Sequence, residues 1–326
     1  MSSRRDNSAI GTIVTGNKAV CTPYIGRFAP SPTGPLHFGS LLAAVASFLE
    51  ARKHGGQWLV RVEDIDPPRA QSGAIEEILA ALERYGFEWD GPISYQSASR
   101  TAHEHAIEML FAAGKAYRCG CSRSDLAAAV RGTLGTIYPG TCRQGSNTAE
   151  GALRVLTDDD PVIFEDLLQG QQSQRLESES GDFVVLRRDG LIAYQLAVVV
   201  DDYLQGITDV VRGIDLMEST PRQIWLQRLL GYLTPRYCHI PVAINNQGQK
   251  LSKSHGARGI SLNAVESNLF TALQLLQQDP PRELQSESLD EIWRWAQQHW
   301  KIEVLKGQSH IQTATGTLAT VKNGLS

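Results

Sequence analysis

The stretch Tyr24-Ile25-Gly26-Arg27-Phe28-Ala29-Pro30-Ser31-Pro32-Thr33-Gly34-Pro35-Leu36-His37-Phe38-Gly39-Ser40 constrains the chain most. A short apolar strand ending at Phe28 runs into a loop rich in proline and glycine. The spacing of Leu41, Leu42, Val45, Phe48 and Leu49 then predicts a helix opening after Gly39. Strand, loop and helix in this order belong to an α/β fold and point backbone N–H groups at an anion. His37 and Ser40 sit where a bound phosphate would lie. By itself the same pattern also serves as an ordinary turn before a core helix.

A second stretch, Lys250-Leu251-Ser252-Lys253-Ser254, lies in a polar loop far downstream. Together the two stretches resemble the paired signatures of class I aminoacyl-tRNA synthetases. The run Arg27-Phe28-Ala29-Pro30-Ser31-Pro32-Thr33-Gly34 is similar to the glutamate-specific branch of that family. The chain departs from the signature at Ser40, where the family usually carries a second histidine. Serine donates a hydrogen bond but brings no charge.

Other segments read in order. Trp58-Leu59-Val60-Arg61-Val62 reads as a strand with Glu63, Asp64 and Asp66 at its carboxyl end, where open α/β sheets bind ligands. Asp66 serves equally well as a helix-capping turn. Helices are expected at about 72–85, stopped by Gly86, and at about 99–113, with Ile107, Leu110 and Phe111 inward and His103 and His105 solvated. Residues 169–180 read as a polar surface excursion. Phe183 to Arg188 reads as a strand, Asp189-Gly190 as a hairpin turn and Leu191 to Tyr194 as its return. A helix opening at Pro221, a strand from His239 to Ile244, helices at about 262–277 and 287–300, and a frayed tail complete the pattern.

Cys119, Cys121 and Cys142, with Tyr138 between them, have spacing that lets three thiolates reach one metal ion. A closed tetrahedral site needs a fourth ligand, which Tyr138 as a phenolate, or His103 or His105, would supply. Buried free thiols are the other reading of the same residues. Cys21 and Cys238 have no partner in this scheme.

The chain has 326 residues, 42% of them hydrophobic, which suits a soluble globular protein with a sizeable core. A net charge of −4 excludes a uniformly basic nucleic-acid coat but leaves room for a local basic face. Five cysteines, odd in number and unevenly spaced, argue against a secreted disulfide framework. No apolar run approaches the ~20 residues of a membrane span, and residues 1–23 lack the apolar core of a signal peptide. A cytoplasmic protein without a membrane partner is expected.

The resemblance implies a Rossmann-like class I synthetase catalytic domain with an inserted zinc-binding subdomain and a short C-terminal helical region. The expected divisions are a disordered leader (1–23), the first half of the catalytic domain (24–116), the insert (117–182), the second half with the Lys250 loop (183–260) and the helical region with its frayed tail (261–326). The Cys-x-Cys…Tyr-x₃-Cys insert matches the glutamyl-Q branch, with a longer gap between cysteine and tyrosine than is usual. In that branch it holds one structural zinc ion on Cys119, Cys121, Tyr138 and Cys142. The resemblance further implies glutamate bound by Arg27, Phe28, Ala29, Pro30, Ser31, Glu63, Tyr194 and Arg212. ATP with magnesium would lie at His37, Gly39, Ser40, Lys250 and Lys253, with His37 and Lys253 catalytic. The acceptor would be queuosine-bearing tRNA(Asp), served by a monomer. The residues after 260 leave no room for the large helical anticodon-binding region of a discriminating glutamyl-tRNA synthetase.

In the pocket that the resemblance implies, two arginines, Arg27 and Arg212, against one acidic residue, Glu63, favour glutamate over glutamine. Guanidinium binds carboxylates bidentately, and Glu63 suits an ammonium group. Arg212 after an apolar strand calls for an anionic partner, whereas Tyr194 reads equally well as a core aromatic.

Overall fold

The computed structural model describes residues 23–122, 124–132, 135–145, 150–245 and 259–312. The expected leader apart from Pro23, Cys21, the Lys250–Ser254 loop and the tail from 313 lie outside the described residues.

Strand β1 (Ile25–Phe28) enters the proline-rich loop as expected. Helix α1 (Phe38–Lys53) begins at Phe38 rather than after Gly39. The reason is local: His37 takes an extended backbone and its ring accepts the Ser40 N–H, so the cap falls there. Besides the expected leucines, α1 buries Ala44, Ala46, Ser47 and Glu50, so it is wrapped on nearly every side. Next come β2 (Gln57–Val62) and α2 (Ala74–Arg84), the latter ending at Gly86 with a left-handed φ of +72°. After β3 (Ser94–Tyr95), α3 (Arg100–Ala112) corrects two expectations. His103 is fully buried and Phe111 is half exposed. His103, Ala106, Ile107 and Leu110 share one helical stripe, and Phe111 falls off it.

The middle of the chain is strand-rich. It holds β4 (Ala116–Cys119), the small hairpin β5 (Arg131–Gly132) and β6 (Gly135–Thr136), β7 (Ala152–Val155), β8 (Pro161–Asp166) and β9 (Gly170–Arg175). The segment expected as a polar excursion is therefore largely β9 and the short α4 (Leu176–Glu179). Strand β9 is polar because it is a sheet edge. After β10 (Phe183–Leu186), Gly190 turns the chain at φ +80°, and Ile192 bridges back to Leu186. Tyr194 then opens helix α5 (Tyr194–Leu204) rather than extending the returning strand.

Strand β11 (Asp209–Gly213) and helix α6 (Thr220–Leu230), with Pro221 in its first turn, follow. The expected strand 239–244 is two strands, β12 (Arg236–Ile240) and β13 (Val242–Ile244), interrupted at Pro241, which has no N–H to donate. Helices α7 (Val265–Leu275) and α8 (Leu289–His299) stand near the expected positions. The tail is ordered further than expected, because β14 (His310–Gln312) pairs parallel with β13.

Three strands pair in parallel in the order β1-β2-β3, and a four-stranded sheet has the order β11-β12-β8-β9. Thr208 joins the two: its N–H donates to the Ile25 carbonyl at 2.9 Å and its hydroxyl accepts the Ile25 N–H at 2.8 Å. An antiparallel sheet β10-β7-β4 packs against α3, α5 and α6. The largest core lies between α1, the β1–β2 pair and the last helices, where Trp58, Phe48, Phe87 and Trp293 stack and abut edge to face.

Candidate active site

A cavity of about 590 Å³ opens beyond the carboxyl ends of β1, β2 and β11. Its wall brings together Arg27 to Ser31, His37, Gly39, Ser40, Glu63, Tyr194 and Arg212, although these residues span most of the chain. Lys250 and Lys253 lie outside the described residues. The first described residue after them, Gly259, pairs antiparallel with His37, and the Ile260 N–H donates to the Leu36 carbonyl at 2.9 Å. The chain thus resumes directly against the loop that enters α1. On that side Ser40 already serves His37: its N–H donates to Nδ1 at 3.3 Å, and its Oγ lies 3.2 Å from Nε2.

The two arginines differ. Arg27 is buried, and its Nε and Nη2 fork the Asp202 carboxylate at 3.1 and 3.4 Å. Arg61, fully buried behind it, donates to Asp202 at 2.8 Å and to Gln205 at 2.6 Å, and lies 3.7 Å from Glu63. Asp201 completes the cluster, accepting from Gln96 at 2.8 Å and lying 2.9 Å from His103 Nε2. Burial alone would raise the Asp202 carboxyl, but the charges of Arg27 and Arg61 hold it below the usual carboxylate range. Burial pushes Glu63 up despite the same two arginines. Burial, with the Glu63 charge adding to it, also raises the Tyr194 phenol. A count of two arginines against one acid therefore does not describe this cavity, because Asp202 already answers Arg27.

Among the described residues Arg212 has no carboxylate in its hydrogen-bonding shell. Its Nε donates to His239 Nε2 at 3.0 Å and its Nη2 to the Thr220 hydroxyl at 2.8 Å, while Nη1 is buried with no partner among those residues. A buried donor left unmade costs roughly 1–3 kcal/mol, more when charged, so an anion placed there is favoured. Arg61, Asp202 and His239 were not singled out in the sequence. The signal for the first two was present as charges embedded in apolar runs, Trp58 to Val62 and Val198 to Asp202.

The thiols also converge. The sulfurs of Cys119, Cys121 and Cys142 all lie within 4.8 Å of one another, with Cys121 and Cys142 3.6 Å apart. The Tyr138 hydroxyl lies 3.4 Å from the Cys119 sulfur and 3.8 Å from the Cys121 sulfur, and accepts the Cys142 N–H at 2.9 Å. His103 is bound to Asp201 and His105 is exposed, so neither joins the cluster. Burial opposes ionisation of Cys119, yet Tyr138 and Arg154 bring it to about 7, while burial and the other thiols push Cys121 up to about 11. Three soft donors and a fourth oxygen around one point fit a metal ion. The cluster is braced from outside. Arg143, next to Cys142, forks Asp182 with two 2.7 Å bonds, and Asp182 also accepts from Thr157 and Tyr117. Gly181, at φ +67°, lies so close that a Cβ would stand 2.5 Å from the Tyr138 carbonyl oxygen, so only glycine fits there.

The family model described as tRNA synthetases class I (E and Q), catalytic domain, matches residues 25–278. Among curated relatives, the chain is 52% identical over 297 residues to glutamyl-Q tRNA(Asp) synthetase of Dechloromonas aromatica, covering 89% of this chain and 98% of that one. It is 51% identical over 278 residues to the protein of the same name from Pseudomonas aeruginosa PAO1, covering 85% and 93%. Among solved structures, glutamate-tRNA synthetase from Elizabethkingia anophelis superposes with a TM-score of 0.75 at 22% identity, over 91% of this chain and 69% of that one. That likeness speaks for the fold alone.

Proposed function

The chain belongs to the glutamyl-Q tRNA(Asp) synthetase family, and from that premise we infer that it activates L-glutamate with ATP and transfers it to queuosine at the wobble position of tRNA(Asp). In the first step an α-carboxylate oxygen of glutamate attacks the α-phosphorus of ATP, and pyrophosphate leaves with the electron pair of the broken P–O bond. In the second, a queuosine hydroxyl displaces AMP from the glutamyl carbonyl.

The observation that carries the reading is Arg212, which lines the cavity with one buried nitrogen unpaired among the described residues. A glutamate carboxylate supplies the missing acceptor. Glu63, on the same wall, suits the ammonium group, and Tyr194 and the Arg27–Ser31 loop enclose the substrate. His37, with Gly39 and Ser40, serves the phosphates from the α1 side. Lys253, assisted by Lys250, serves them from the other side and neutralises the departing pyrophosphate. Loss of one such donor typically costs ~10²–10³ in rate. Magnesium enters as the counter-ion of ATP. A zinc ion on Cys119, Cys121, Cys142 and Tyr138 would tie the β4 end to the loop of Cys142 and take no part in the reaction. The reading includes a cytoplasmic monomer acting on tRNA; among the described residues no helix is long and apolar enough to cross a membrane.

The test is transfer of labelled glutamate, with ATP and magnesium, to queuosine-containing tRNA(Asp), the same tRNA lacking queuosine, and tRNA(Glu). Label on the first alone is expected. Label on tRNA(Glu) would replace the reading with 3′-end charging. Label on none, with pyrophosphate exchange intact, would call for a different acceptor.

A further inference from the structure

Arg212 presents a problem of orientation. It stands in β11 and, among the described residues, no carboxylate is hydrogen-bonded to its guanidinium, yet two of its three nitrogens are fixed. The fixing group is His239, its register partner on β12. His239 is fully buried, and its Nδ1 lies 2.6 Å from Asp166 Oδ2. Asp166 closes β8 and is itself held by backbone N–H groups: Leu168 and Gln169 donate to Oδ1 at 3.1 and 3.0 Å, and the His239 N–H reaches it at 3.3 Å.

This arrangement leaves one tautomer. Guanidinium nitrogens only donate, so His239 Nε2, 3.0 Å from Arg212 Nε, must offer a lone pair. The proton is then on Nδ1, where the Asp166 carboxylate accepts it. Burial and the Arg212 charge both favour the neutral ring. Thr220, 3.1 Å from the same Nε2, accepts from Arg212 Nη2. His239 and Thr220, the groups that touch the guanidinium, are thus neutral and rigidly held, with the Asp166 carboxylate one imidazole behind them, and among the described residues Nη1 is left for an incoming anion.

We propose that His239, held by Asp166, is a positioning residue that sets the affinity for glutamate through Arg212. This rests on the reading that the cavity binds glutamate. It adds a role for a side chain that does not itself line the cavity.

Glutamate-dependent pyrophosphate exchange, measured as separate KM values for glutamate and ATP, tests it with four variants: His239→Leu, His239→Gln, Arg212→Ala and the Arg212→Ala/His239→Leu double. His239→Leu should raise the glutamate KM by about tenfold or more, the loss of one acceptor to a buried charged donor, and leave the ATP KM within about twofold. His239→Gln, whose Oε1 can occupy the Nε2 position, should recover most of that loss. In the Arg212→Ala background, His239→Leu should add nothing to the loss in kcat/KM for glutamate, because the cradle then has nothing to hold. The proposal is overturned if the leucine variant raises both KM values together, if it lowers only kcat and the melting temperature, if glutamine is no better than leucine, or if the double variant is additive. A wild-type protein without glutamate-dependent exchange would overturn the glutamate reading and this proposal with it. An active wild type with an unmoved KM in His239→Leu overturns the proposal alone.

Discussion

Arg27 and Arg212 line one cavity, and the protein treats them oppositely. Arg27 is met by a carboxylate, Asp202, which also serves Arg61, so its charge is spent within the protein. Arg212 is touched by a neutral imidazole and a hydroxyl, with the nearest carboxylate of that hydrogen-bonded chain, Asp166, one ring away, and among the described residues its Nη1 is unpaired. The first arrangement belongs to folding, because it locks β1, β2 and α5 together through buried ions. The second suits the recognition role proposed above, because among the described residues one buried nitrogen has no acceptor. Similar residues at similar depth are separated by the charge of their partners.

The largest effect should come from removing the shared carboxylate. Asp202→Ala leaves two buried guanidinium groups without it and should cost about 3–5 kcal/mol of stability, read from urea unfolding. A loss below about 1 kcal/mol would end the distinction drawn between the two arginines. Next, Arg212→Ala should lower kcat/KM for glutamate by roughly 10²–10³-fold while moving the unfolding midpoint far less than Asp202→Ala does, because no carboxylate is hydrogen-bonded directly to it among the described residues and Asp166 keeps its bonds to His239 and the backbone. A large stability loss without a kinetic one would exchange the two roles.

A smaller effect, of opposite sign, is expected at Glu63. Burial raises its carboxyl, so its folded pKa lies above the unfolded one. Its favourable contribution is present below the ordinary value of 4.5 and is lost as pH rises through the folded pKa. Glu63→Gln should remove that pH-dependent loss, so that stability no longer falls as pH rises through the folded pKa, while abolishing glutamate activation. Asp202 runs the other way. Its folded pKa is depressed, so its contribution is complete above the ordinary value of 3.8 and disappears as pH falls below it toward the folded pKa. Acid titration of Asp202→Asn should lack that part of the transition. The smallest effect sets the baseline: Lys53→Ala removes a half-exposed ion pair with Glu303 and should change stability by no more than about 1 kcal/mol.

Local chemistry was legible in the chain. The strand, proline-rich loop and helix at 25–53, the stop at Gly86, the Asp189-Gly190 turn and the Cys-x-Cys cluster with Tyr138 all follow from residues within a few positions or one loop of each other. The positions expected around glutamate do line one cavity. Where expectation failed locally, a neighbour in space or a side-chain cap decided the outcome. His37 moved the start of α1, and Asp201 drew His103 inward. Pairing with β13 ordered residues 310–312.

The sequence by itself determined the elements, the family resemblance and the residue types gathered at the cavity, because periodicity, turn chemistry and motif spacing are properties of nearby residues. It did not determine which charges are paired. Arg27 and Asp202 are 175 residues apart, Arg61 and Asp202 141 apart, and Asp166 and His239 73 apart. Only the closing of β1, β2 and α5 on one side, and of β8, β11 and β12 on the other, selected those partners. In a buried site the energy of a charge is set by the nearest opposite charge or lone pair. Tertiary structure alone therefore decided that Arg27 meets a carboxylate and that, among the described residues, Arg212 Nη1 meets no acceptor.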